Sequence, residues 1–349
     1  MTTLRSWILC FALGAAACSG VDPAAVTATV VPRSTATPTL DGVRARGFVR
    51  CGVSTGIAGF STLDANGQWQ GIDVDVCRAI AAAVLGDGGK VRYTPLTAAQ
   101  RFTALQAGEI DVLSRNTTVT FQRDVQVGIE FPAINWYDGT GFIVRKASKV
   151  QSVKGLDRAT ICIQTGSTTE ADVADYFRKN NLTFTPVVIE RLEEVTNAYF
   201  AGRCDAFGQD RSALASVRAR APNPADHVVL SEVISKAPLG PGVMPDDARW
   251  IEIVRWSVYA LINAEELGLS SKTIDQSLDS DDPDVRRFVG KTDGFGAMLG
   301  LDSQWAFRIV KQVGNYAESV ERNIAPLGID RGVNRLWRDG GVFYVPALR

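Results

Sequence analysis

One histidine, His227, in 349 residues leaves almost no imidazole chemistry to this chain. A Ser-His-acid hydrolase would need it as base, and it follows a stretch broken by Pro222 and Pro224, so such a triad is disfavoured. A charge excess is also missing. The 37 Lys and Arg face 38 Asp and Glu for a net of −1, which points to neither nucleic acid nor an acidic surface as partner. No two cysteines have the close spacing of zinc ligands. Near-matches to other chemistry lack a key residue. Residues 86–90 run into Val91 where a phosphate loop needs Ser or Thr, and residues 279–284 lack the glycine and final glutamate of a calcium loop. Gly52-Val53-Ser54-Thr55-Gly56 has a nucleophile-elbow pattern, but Gly56, Gly59 and Phe60 read as loop where a helix must follow. No cofactor motif is found.

The apolar run at 7–17, after the lone cation Arg5, is too short to span a bilayer and fits a secretory h-region. Ala15-Ala16-Ala17 before Cys18 satisfies both an ordinary Ala-x-Ala cleavage site and a bacterial lipobox. Residues 21–40, rich in Ala, Thr, Val and Pro, resemble an unfolded tether. Export with a lipid anchor at Cys18 is therefore expected, the alternative being ordinary cleavage and a soluble periplasmic protein. The remaining chain, 46% apolar and 21% charged overall, can bury a full core and suits two domains.

Two stretches repeat one another. Ala104-Leu-Gln-Ala-Gly-Glu-Ile-Asp-Val-Leu-Ser-Arg-Asn116 and Ala198-Tyr-Phe-Ala-Gly-Arg-Cys-Asp-Ala-Phe-Gly-Gln-Asp210 each run from a helix end through Ala-Gly into a short apolar strand with polar side chains at its end. Strands at 48–53, 91–93 and 110–114 alternate with helices at 73–85 and 98–106, an order that argues for a parallel sheet. A strand at 141–144 leads to a second such set, with a strand at 160–164, a Gly-Ser-Thr-Thr turn and a helix at 170–179. Residues 235–243 are extended and suit a return crossing, so that the helix at 248–266 rejoins the first lobe. The expected organisation is signal 1–17, tether 18–40, first lobe 41–142, second lobe 143–238, and first lobe again with a C-terminal extension, 239–349. The aromatic residues of that extension, among them Trp305, Tyr316, Trp337, Phe343 and Tyr344, fit packing.

Cys10 and Cys18 belong to the signal and its end, which leaves Cys51, Cys77, Cys162 and Cys204 in a compartment where disulfides persist. Cys51 lies in the first strand and Cys77 on the apolar stripe of the next helix with Ile80, Ala81 and Val84. Cys162 and Cys204 fall in strands of the second lobe. One bridge per lobe, Cys51 to Cys77 and Cys162 to Cys204, is expected. Four buried free thiols are the alternative, because spacing alone leaves connectivity open.

Ordered motifs then carry a family resemblance: Gly71-Ile-Asp-Val-Asp-Val76, Ala107-Gly-Glu-Ile-Asp111, Thr120-x-x-Arg123, Gln164-Thr-Gly-Ser-Thr168, and Gly202-Arg-Cys-Asp205 to Asp210. In order and spacing they resemble the polar amino acid-binding proteins of ABC importers, solute-binding protein family 3. The general L-amino acid-binding subgroup is similar also in Leu113-Ser-Arg-Asn-Thr-Thr118, Tyr259-Ala-Leu-Ile-Asn-Ala-Glu-Glu266, Lys311-Gln-Val-Gly-Asn-Tyr316 and the cysteine positions. The resemblance implies an α/β fold of type II periplasmic-binding-protein kind, two mostly parallel lobes on a two-strand hinge. It also implies a monomer that binds free L-amino acids, partners permease subunits and needs no cofactor.

Residue by residue, the resemblance gives Arg123 to the ligand α-carboxylate, a task suited to a planar fork of donors, and Asp210 to the α-ammonium. The alternatives are a surface salt bridge for Arg123 and a helix N-cap for Asp210. Thr118 matches a hydroxyl position beside the ligand, with Asn116 on the same face. Ser167 and Thr168 open a helix whose free N–H groups favour a carboxylate. Many relatives put a tyrosine over the ligand where this chain has Ile57, followed by Phe60, which fits a less selective pocket. Arg101 and Arg115 are close enough to the cleft face in sequence to tune charge preference, with surface or interlobe ion pairs as the alternative. Asp73 and Asp75 read as a helix N-terminus. A periplasmic dehydratase and a ligand sensor share this fold and stand as rival functions, although nothing in the chain marks a catalytic pair or a signalling domain.

Overall fold

A computed structural model describes residues 36–292 and 294–349. The expected signal segment, Cys18 and most of the tether lie outside the described residues. Helix α1 (Pro38–Arg46) begins inside the stretch read as tether. Proline is favoured in a first helical turn, and Asp247 fastens this one by accepting from the N–H groups of Thr39 and Leu40 at 3.0 Å each.

Strand β1 (Val49–Ser54) leads through a small hairpin, β2 (Thr62–Leu63) and β3 (Trp69–Gln70), to helix α2 (Ile72–Leu85), then β4 (Val91–Leu96), α3 (Arg101–Gln106) and β5 (Val112–Leu113). These form a parallel sheet in the order β4-β1-β5. The chain crosses at β6 (Trp136–Asp138) and builds a second sheet from β7 (Thr140–Arg145), β8 (Ala159–Gln164), α4 (Thr169–Lys179), β9 (Phe184–Ile189), α5 (Leu192–Phe200), β10 (Ala206–Asp210), α6 (Arg211–Ala219) and β11 (His227–Val229). Its order is β11-β7-β10-β8-β9, with β8, β9 and β10 parallel and β7 antiparallel. All of β7 belongs to this sheet, so the chain leaves the first lobe before Thr140 rather than at residue 142. It returns at β12 (Ala237–Leu239), which pairs antiparallel with β6 to make the two-strand hinge. Helices α7 (Ala248–Glu266), α8 (Pro283–Phe288), α9 (Phe295–Met298), α10 (Trp305–Val313) and α11 (Tyr316–Asn323) follow. Of these, α7, α10 and α11 pack on α2 of the first lobe.

The sequence repeat has a physical cause. Gly108 after α3 and Gly202 after α5 both sit in the left-handed region, with φ of 68° and 80°, where a side chain is strained. Each helix ends with the same two bonds: Gly108 N–H to Leu105 O and Glu109 N–H to Ala104 O in one lobe, Gly202 N–H to Tyr199 O and Arg203 N–H to Ala198 O in the other, all at 3.0 Å. The aspartate three residues later then seizes the neighbouring strand. Asp111 accepts from Arg50 N–H and Asp205 from Thr160 N–H, at 2.8 Å in both lobes. The motif therefore sets the register of each sheet, and so the height at which its strand-end residues emerge.

The disulfides are Cys51–Cys77, joining β1 to α2, and Cys162–Cys204, joining β8 to the entry of β10. In the extension, Trp305, Tyr316 and Phe343 are buried, whereas Trp337 and Tyr344 are half-exposed or more and meet edge to face, with ring centroids 5.4 Å apart. Asn334 clasps the hinge: its Oδ1 accepts from Tyr137 N–H at 2.6 Å and its Nδ2 donates to Tyr137 O at 2.9 Å.

Candidate functional site

The cleft residues all come from strand ends, where open parallel sheets present ligand contacts. Ala98 and Arg101 follow β4, Arg115, Asn116 and Thr118 follow β5, Gln164 ends β8 with Ser167 and Thr168 beyond it, and Gln209 and Asp210 end β10. Together they line one cavity between the lobes with about 10 Å³ of free space. That is about one water molecule's worth, so anything larger enters only when the lobes separate.

Asn116 and Asp210 close the two copies of the repeat, and they meet across the cleft: Asn116 Nδ2 donates to Asp210 Oδ2 at 3.3 Å. Asn116 has a φ of 33°, a conformation asparagine tolerates better than most residues. Asp73, in the first turn of α2, holds it there. Its carboxylate accepts from Asn116 N–H at 2.6 Å and from Asn135 Nδ2 at 3.0 Å. Asp75, one turn-position on, instead accepts from Ser319, Arg322 and Asn323 of α11. Both are buried supports as well as a helix start.

Thr118 and Thr168 bring their hydroxyls to 3.4 Å across the lobes. Ser167 Oγ donates to Gln164 O at 2.7 Å, and neither Thr168 nor Asp210 caps its helix through the side chain. Near α6, Asp138 takes the Ser212 N–H that an Asp210 cap would have served. Gly166, with φ of 76°, lets the lobes approach, since a Cβ there would lie 3.0 Å from the Ala99 backbone. Arg123 sits in a wide helical turn closed by Val127 N–H to Gln122 O, an i to i+5 bond often found at functional sites. Its Nη1 donates to Thr118 O at 2.7 Å, and its guanidinium lies over the Phe102 ring at 5.1 Å. Ile57 and Phe60 are not among the lining residues: both are buried in the first lobe's core, Phe60 edge-on to Trp136. Gln164 and Gln209 also line the cavity, although the sequence reading gives neither a ligand role; each is a polar residue at the end of an apolar strand.

The electrostatics are unusual for a buried space. Arg101, Arg115, Arg123 and Asp210 are all at most 7% exposed. Burial, followed by the nearby Arg123 and Arg115, pulls the Arg101 pKa well below its ordinary value. Burial brings Arg115 and Arg123 to about 10. Burial, then neighbouring Asp138, pushes the Asp210 carboxyl above the usual range, against the Asn116 bond and the arginines. Arg115 Nη2, Arg101 Nε and Asn116 Oδ1 are buried with no hydrogen-bond partner, and leaving such a group unsatisfied costs about 1–3 kcal/mol. A site of this kind suits a small ligand that brings both anionic and cationic groups.

The elbow-like serine is no nucleophile in this setting. Ser54 is fully buried and its hydroxyl is engaged with Ser61, while His227 Nδ1 lies 2.8 Å from Tyr199 OH in the second sheet.

Residues 49–285 match the model of the bacterial extracellular solute-binding proteins, family 3. The "General L-amino acid-binding periplasmic protein" of Rhizobium johnstonii is 52% identical over 331 residues, covering 93% of this chain and 97% of the relative. The "Glutamate/glutamine/aspartate/asparagine-binding protein" of Rhodobacter capsulatus is 48% identical, covering 92% and 96%. A solved periplasmic binding protein of an ABC transporter from Brucella ovis, with glutathione bound, superposes with a TM-score of 0.88 at 48% identity, covering 90% of this chain and all of that one. The two sheets on a two-strand hinge are the type II periplasmic binding protein fold. The chain belongs to the family 3 extracellular solute-binding proteins.

Proposed function

We propose that this chain is the substrate-binding component of an ABC importer, a monomer that captures free L-amino acids outside the cytoplasmic membrane and hands them to the permease. The observation that supports this is that Arg123 of one lobe and Asp210 of the other, both buried, act on each other electrostatically: Asp210 lines the cavity, and Arg123 donates to the backbone of the lining residue Thr118, opposite charges of the kind a zwitterion would engage. Arg123 takes the α-carboxylate, helped by Thr118 and by the Ser167 and Thr168 end of α4, and Asp210 takes the α-ammonium. Ligand touches both lobes only when the hinge is shut, so binding shifts the population to the closed form, which the permease recognises. Export and an anchor at Cys18 belong to the same proposal. Mass spectrometry of the mature N-terminus is expected to find a lipid-modified Cys18, and an unmodified terminus would overturn the anchor alone.

Thermal unfolding of ligand-stripped protein with each common L-amino acid tests the core of the reading, because a ligand of the folded state raises the midpoint. Shifts with several amino acids are expected, and none with any would overturn it. Arg123→Ala and Asp210→Ala are each expected to weaken binding at least about 30-fold, from the ~2–5 kcal/mol cost of truncating one partner of a buried charged contact. The rival dehydratase reading predicts an aromatic product from prephenate or arogenate; we expect none.

A further inference from the structure

A separate cavity of about 620 Å³ lies against hinge strand β6 and shares no lining residue with the cleft. Its volume falls in the range of small-molecule sites, roughly 300–1,000 Å³. One wall is the second lobe, with Arg211 and Arg218 of α6 and Val233 beyond β11; the other is residues 327–334 of the C-terminal extension, Val333 among them. Arg211 and Arg218, two helical turns apart, share a face of α6. Among the described residues neither guanidinium is in an ion pair or a hydrogen bond. The acids on the cavity wall are engaged elsewhere. Asp138, on which Arg211 acts electrostatically without ion-pair contact, accepts from Ser212 Oγ and from Gly139 N–H. Asp330 accepts from Arg335 through both oxygens and from Gly332 N–H. Two large apolar side chains, one on each wall, also face solvent: Val233 is 45% exposed and Val333 51%.

We propose that this cavity is a second ligand site, which takes a small organic anion with its carboxylate or sulfonate on Arg211 and Arg218 and its apolar body between Val233 and Val333, and which is coupled to the cleft through the hinge. The anionic head follows from two planar donor forks with no acid to compensate them. The apolar body follows from the valines, which gain by leaving water. The coupling follows from placement. The two walls belong to opposite lobes, and Asn334 ties the extension wall to the hinge at Tyr137. The cavity therefore has this shape at this setting of the hinge, with the cleft shut on about 10 Å³. A ligand that fits it favours the closed form, and by linkage it tightens the cleft's ligand by the factor with which that ligand tightens it. The coupling, though not the site, rests on the importer reading above.

Fluorescence titration with anilinonaphthalene sulfonate, an anion on an apolar ring body, tests this on ligand-stripped protein and on protein saturated with the L-amino acid that gives the largest thermal shift. The probe is expected to bind at a single site per chain, and phenylnaphthylamine, the same rings without the sulfonate, at least about tenfold more weakly. Arg211→Gln combined with Arg218→Gln should weaken the probe about tenfold, the loss of two partly exposed charged contacts, and leave amino acid affinity unchanged when no probe is present. Val333→Asp, a surface change on the opposite wall, should weaken it too. Saturating amino acid should tighten the probe at least about threefold. Displacement of the probe by amino acid would put it in the cleft and overturn the proposal, as would wild-type probe affinity in the variants or no binding at all. Equal probe affinity with and without amino acid would overturn the coupling. Should no amino acid bind, the importer reading fails, while titration of the stripped protein still decides the site.

Discussion

Replacing Asn116 in two ways separates its two jobs. Its backbone is held at φ 33° by Asp73, and its side chain reaches Asp210 in the other lobe at 3.3 Å. Alanine keeps the unfavourable φ and loses asparagine's tolerance for it, a cost of about 1 kcal/mol in folding. Glycine relieves that strain while raising unfolded-state entropy by a similar amount, so Asn116→Gly is expected to unfold within about 0.5 kcal/mol of wild type. Binding should treat the two alike. Both lose a bond to a carboxylate, worth ~1.5–3 kcal/mol at good geometry and less at 3.3 Å. A loss of ~1–2 kcal/mol corresponds to about 5–30-fold weaker affinity for any amino acid. Urea unfolding of ligand-free protein gives the first quantity and calorimetry the second. If Asn116→Gly bound with wild-type affinity while Asn116→Ala did not, strain rather than the interlobe bond would be the controlling effect, and the account of closure given above would be wrong.

Asp73 provides a pH signature. Burial outweighs its hydrogen bonds and lifts its pKa from 3.8 to about 6. With the folded value above the unfolded one, this group's contribution to stability is full below pH 4 and is lost as pH rises through 6, on the order of 3 kcal/mol in all. Urea midpoints at pH 4.5 and 7 should therefore fall less in Asp73→Asn than in wild type, and equal falls would refute the assignment. Asn334→Ala should remove both side-chain bonds to Tyr137 and destabilise by ~1–3 kcal/mol, with affinity changed less than about threefold because no lining residue moves. A variant with wild-type stability would mean that the clasp is idle.

The repeated Ala-Gly-x-x-Asp motif was legible because it is local physics: a left-handed glycine, two turn bonds and an aspartate on the next strand fall within eight residues. Helix α7 matched its expected bounds, since its apolar period is long and unbroken and Asp247 caps it by accepting from Trp250 N–H. What escaped was long-range. Nothing in the repeat says that Asn116 and Asp210, equivalent positions, face one another, because that depends on how the hinge folds the lobes together. Asp73 and Asp75 read as a helix start, yet partners more than forty and more than two hundred residues away make them buried supports. The loop with Ile57 and Phe60 folds back into the core, and an apolar residue in a loop gives no hint of which way it turns. Strands β2 and β3, two residues each, are too short to show a period. Trp337 and Tyr344 read as packing like their neighbours and stay at the surface.

Each disulfide begins and ends on one side of the hinge, Cys51–Cys77 within the first lobe and Cys162–Cys204 within the second. Disulfides therefore stiffen the two jaws and leave the joint between them without a cross-link: two crossings of the chain, paired as three-residue strands, and an asparagine clasp. Oxidation locks the parts of the trap without locking the trap, so in an oxidising compartment the lobes can be hardened as far as chemistry allows while opening and closing stay within reach of a single small ligand's binding energy.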